Sequence, residues 1–114
     1  MIDEPRKTEL LMAVLKESLP IPANVPPQLA RELAEQSPEL SISGRCNVID
    51  VIYSGDMGGV LCSLGIGGRE AESVHVVSIT QLSFNRKVPL FREIEAYQRH
   101  RIKKLKKHQG SGYR

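Results

Sequence analysis

Three apolar runs separated by glycine turns, the first dominated by β-branched residues, constrain this chain more than any other feature. Cys46-Asn47-Val48-Ile49-Asp50-Val51-Ile52-Tyr53 is bounded by Gly44 and Gly55. It reads as a strand. Ser54-Gly55-Asp56-Met57-Gly58-Gly59 then reads as a turn, where glycine supplies positive φ and Asp bonds nearby amides. Val60 to Ile66 returns, with Val60, Cys62, Leu64 and Ile66 on one face by the period of two. Gly67-Gly68-Arg69-Glu70 makes a further turn. Val74 to Phe84 is a third strand, long enough to bend or to cross between layers. The expected product is an antiparallel meander of three or four strands, strongly curled or open.

The first and third runs are apolar on both sides. Ile49, Val51 and Tyr53 oppose Val48 and Ile52, and Val77 and Ile79 oppose Val74, Val76, Leu82 and Phe84. A sheet with one wet face alternates more cleanly. A second cover is therefore expected: the N-terminal helices, a second subunit, or closure of the sheet on itself. Asp50 belongs to this question. With Ile49, Val51 and Tyr53 inward it is solvated, the reading preferred here. With Cys46, Val48 and Ile52 inward it is buried and needs a partner, such as Arg45, Arg69 or His75.

Helices flank the strands. Asp3 caps and Pro5 opens a first helix, whose stripe is Leu10, Leu11, Val14, Leu15 and Leu19. It packs on the body or projects as an arm. Residues 20–27 hold four of the seven prolines and read as an extended connector, a stiff spacer rather than a recognition ligand. A short helix follows from Pro26 or Pro27 to Ser37, with Leu29 and Leu33 on one side and Pro38 as its stop. The last helix runs from Pro89 to Lys107, with an imperfect stripe of Leu90, Phe91, Ile94, Tyr97, Ile102 and Leu105. The class is α+β. Residues 1–19 form a helix or arm, 20–27 a connector, 28–109 one domain and 110–114 a flexible tail.

Charge supplies the functional lead. Residues 1–91 carry eight Lys/Arg against eleven Asp/Glu, and residues 92–114 carry eight against two. An acidic body therefore ends in a basic helix. From Arg99 to His108 six of ten residues are Lys or Arg and none is acidic. Helix-dipole capping calls for fewer, so the expectation is a polyanion partner. Arg99, Arg101, Lys103, Lys104, Lys106 and Lys107 are the candidate phosphate-contacting residues. Asn, Gln and aromatic residues are scarce among them, which points to nucleic-acid backbone contact without strong sequence preference. Ile102 and Leu105 alone are too little apolar surface for membrane binding. The alternative is a homodimeric protein-interaction module whose apolar sheet face or N-terminal helix meets its partner.

Other chemistry finds little support. Gly65-Ile66-Gly67-Gly68 leads into a strand rather than a helix, so it is no dinucleotide fingerprint, and no P-loop lysine follows. Cys46, Cys62, His75, Asp50 and Asp56 lack the paired spacing of a zinc site. Cys62 and His75 make no evident nucleophile pair, because an apolar strand does not stabilise a thiolate. Enzymatic activity, a cofactor and a metal are not expected. The acidic N-terminus lacks the basic start and apolar run of a secretory leader, and no stretch has the length of a membrane span. A cytoplasmic homo-oligomer with two buried thiols is expected. A small domain without Trp buries modest surface, and oligomerisation is a common remedy.

Overall fold

The computed structural model describes residues 2–36, 44–65 and 75–111, the last four by backbone alone. The order is α1 (Pro5–Ser18), β1 (Ile21–Asn24), α2 (Pro27–Gln36), β2 (Arg45–Tyr53), α3 (Gly55–Gly58), β3 (Val60–Gly65), β4 (His75–Ser78), a 3-10 turn (Ile79–Gln81) and α4 (Phe91–Ser111). The strands form an antiparallel meander in the order β1-β2-β3-β4. The class is α+β, and the sheet stays open. Ile66, the turn at Gly67–Glu70, Val74, the stop at Pro38 and residues 112–114 lie outside the described residues.

The fourth strand comes from the proline-rich stretch. It is extended, as its prolines require, but it is not a free spacer: Ile21 faces Val48 and Asn24 faces Arg45 across a ladder. Pro22 is tolerated because β1 is an edge strand, where a missing donor costs no ladder bond. The third apolar run does bend. Ser78 ends β4 by accepting from the Thr80 N–H, while Gln81 accepts from the Ser78 N–H. This box diverts the chain toward the far edge, where the Asn24 and Ser83 backbones exchange two hydrogen bonds of 2.7 and 3.1 Å.

A bulge settles the facing of β2. Val48 pairs with Leu64, and the next partners are Asp50 with Ser63, so Ile49 is an extra residue. It shifts the alternation by one. Cys46 and Val48 are buried before it and Val51 after it, while Ile49 and Asp50 are exposed. Neither uniform parity holds, and Asp50 is solvated.

The core lies on one face of the sheet. Leu11 and Leu15 of α1, Leu29 and Leu33 of α2, and Ile94 and Tyr97 of α4 pack with Val48, Val51, Val60, Cys62, Leu64 and Val77. Fully burying each such side chain contributes roughly 1.5–3 kcal/mol. Thus α1 packs on the body. On the other face Ile49, Ile52 and Val76 remain 45, 49 and 50% exposed.

Candidate functional site

The basic helix has two opposite sides, and α4 owes them to a single phase. Ile94, Tyr97, Arg101 and Leu105 follow each other at spacings of three and four, so they share one face. Ile94, Tyr97 and Arg101 are buried, and Leu105 is half-buried. Gln98 fastens the same helix to the bend after β4 by donating to the Ile79 and Leu82 carbonyls at 2.7 and 2.8 Å.

Arg101 is the centre of a buried polar cluster. It donates to Asp3 Oδ1 at 3.0 Å and to the carbonyls of Asp56 and Met57. Tyr53 and Tyr97 both donate to Asp3 Oδ2 at 2.9 Å, and the Tyr97 oxygen accepts from the Val60 N–H. Gly59 makes this approach possible. Its φ is +70°, and a Cβ there would lie 2.6 Å from Arg101 Nε and 2.8 Å from Tyr97 Oη. Burial and the bond to Asp3 push the Tyr53 hydroxyl up to about 12 and raise Tyr97 as well.

The arrangement corrects two expectations. Asp3 is not the helix cap: Glu4 takes that place, its Oε1 accepting from the Arg6 N–H. Arg101 is not a phosphate contact, because its guanidinium is 3% exposed and committed to Asp3. The signal for Arg101 was its phase, four residues after Tyr97 and seven after Ile94. Asp3, a distant partner near the other terminus, left no local signal.

Arg99, Lys103, Lys104, Lys106 and Lys107 are exposed. Arg92, Arg99, Lys103 and Lys106 form a stripe on the side away from Arg101, about 21 Å long at 1.5 Å per residue. Arg99 has an ion pair with Glu95 at 3.6 Å, with both side chains exposed. Pairs of this kind are worth little and give way to a better anion.

The remaining candidates are placed in structural roles. Asp56 accepts from the Ile2 and Asp3 N–H groups at 2.8 Å, and these bonds lower its pKa. Cys46 and Cys62 are buried free thiols; Cys62 lies opposite Val51 and Val77, and burial pushes its pKa up to about 12. His75 faces Leu64, two rungs along the ladder from Cys62. A raised thiol pKa is the opposite of what a nucleophile needs. Among the described residues no three His, Cys, Asp or Glu side chains come together as metal ligands, and no helix is long and apolar enough to cross a membrane.

A groove of about 500 Å³ lies between α1 and α4, with Leu10, Leu11, Val14, Ala96 and Tyr97 along it and Glu4, Lys7, Glu93 and His100 among its polar residues. Comparison of the chain with protein-family models, curated proteins and solved structures finds no significant match.

Proposed function

We propose that this chain is a small cytoplasmic accessory protein whose C-terminal helix contacts nucleic-acid backbone without strong sequence preference. The observation that carries the reading is the two-sidedness of α4. One face is anchored through Ile94, Tyr97 and Arg101, so the opposite stripe of Arg92, Arg99, Lys103 and Lys106 is held in fixed geometry. Pre-positioned cations lose less freedom on binding. Within the helix, the acid that pairs with the stripe is Glu95, and that pair with Arg99 is weak. Lys104 and Lys107 widen the basic surface. Base edges would be read by Asn, Gln or bidentate Arg, and the stripe beyond Arg99 is all lysine.

The test is fluorescence anisotropy with mixed-sequence duplex DNA and RNA across a salt series. Changing Arg99, Lys103 and Lys106 together to Gln removes three charges. It should weaken binding to every duplex and flatten the log–log salt slope by up to about 2.7. No salt-dependent binding by the unaltered protein at low ionic strength would end the reading.

The second reading, a homodimeric interaction module without catalytic activity, is supported by a different observation. Ile49, Ile52 and Val76 leave one sheet face apolar and uncovered among the described residues. Surfaces of this sort are common at protein contacts.

A further inference from the structure

The apolar stripe of α1 is wider than the core uses. Leu11 and Leu15 are buried, yet Leu10 is 62% and Val14 40% exposed on the same helix. Both line the groove between α1 and α4. An exposed Leu by itself means nothing. What matters is the order of residues on this face. Lys7, Leu10, Val14 and Glu17 follow at spacings of three, four and three, the seam spacing of paired helices, and all four are exposed.

The series is symmetric about position 12. In an antiparallel pairing with the same helix of a second copy, Leu10 meets Val14 and Lys7 meets Glu17, each twice. A parallel pairing sets Lys7 on Lys7 and Glu17 on Glu17. The seam is therefore complementary to itself in the antiparallel orientation, the one that a two-fold axis perpendicular to the helix generates. The groove between α1 and α4, with Ala96 and Tyr97 in its wall, opens beside Leu10 and Val14.

We infer that α1 is a homodimer surface: two copies pair their α1 helices antiparallel about an axis level with position 12, with Leu10 and Val14 at the centre and Lys7–Glu17 ion pairs at both ends. This rests on the second functional reading and gives it a surface, distinct from the uncovered sheet face. It is independent of the basic stripe on α4. A two-helix contact is small, so the dimer is weak, below the roughly 1,200 Å² of standard interfaces.

The experiment is sedimentation equilibrium on the full chain across a concentration series up to about 0.5 mM, a range that reads weak association. Four variants join it: Leu10→Asp, Lys7→Glu, Glu17→Lys, and the double change Lys7→Glu with Glu17→Lys. All sit at exposed positions, and circular dichroism checks that each is folded. The unaltered chain is expected to dimerise and Leu10→Asp to be monomeric throughout. Each single charge reversal places like charges together at both ends of the seam and should raise the dissociation constant about tenfold. The double reversal should return it to within about threefold. That rescue is a result that loss of folding does not mimic. A dimer untouched by Leu10→Asp overturns the α1 surface and leaves dimerisation through another face, the sheet first. A chain that is monomeric at every concentration overturns both.

Discussion

Arg101 and Asp3 are 98 positions apart and meet at 3.0 Å, with side chains only 3 and 1% exposed. The pair joins the last helix to the segment before the first. Removing one partner leaves an uncompensated buried charge, which costs about 3–5 kcal/mol. Arg101→Ala should lose stability of that order in urea unfolding. Lys103→Ala, two residues away in the same basic run but exposed, should change it by no more than about 0.5 kcal/mol. Equal effects of the two changes would refute the assignment.

Gly59 is the second test of this cluster. Any Cβ there meets Arg101 and Tyr97 at less than 3 Å, and φ is +70°. Gly59→Ala should destabilise the protein by about 2 kcal/mol or more, from strain and displaced polar groups. At Gly44 a methyl group would meet nothing within 4 Å, and φ is not positive. Gly44→Ala should be neutral or slightly stabilising, and thermal melts of the two variants side by side decide the matter.

Stability should fall at both ends of the pH range, for opposite reasons. The folded pKa of Tyr53 is raised from 10.0 to about 12, and that of Tyr97 is raised too, by burial first and the bond to Asp3 second. Their contribution is complete below the unfolded value of 10.0 and is lost as pH rises through the folded values. Asp56 is lowered from 3.8 by the Asp3 and Ile2 N–H groups, so its contribution holds above 3.8 and disappears as pH falls through its folded value. Melting temperature against pH should show an alkaline limb that Tyr53→Phe flattens and an acid limb that Asp56→Asn flattens.

Both thiols should be silent in the folded protein. Cys46 lies opposite Ala23 and Cys62 opposite Val51, both are buried, and burial raises both pKa values. Ellman's reagent should react slowly under native conditions and report two thiols per chain after unfolding without reductant. Fast modification of either thiol in the native state would contradict the burial.

The local physics of the sequence determined most elements. A β-branched run between glycines made β2, an apolar run returning from a glycine turn made β3, and proline-led stretches with leucines at helical spacing made α1 and α2. The phase of α4 carried both its buried face and its basic stripe. In each case the pattern is written within a few residues, and the backbone responds at that range. What the tertiary structure decided depends on residues far apart in the chain. Ile21–Asn24 is a strand only because β2 offers it a ladder. Ile49 is a bulge only in the register that β3 imposes, and that bulge placed Asp50 outside. Arg101 belongs to the core rather than to the basic stripe because Asp3 arrives from the other terminus to neutralise it. A buried charge is tolerable only when its partner is in place, and that partner is supplied by the fold.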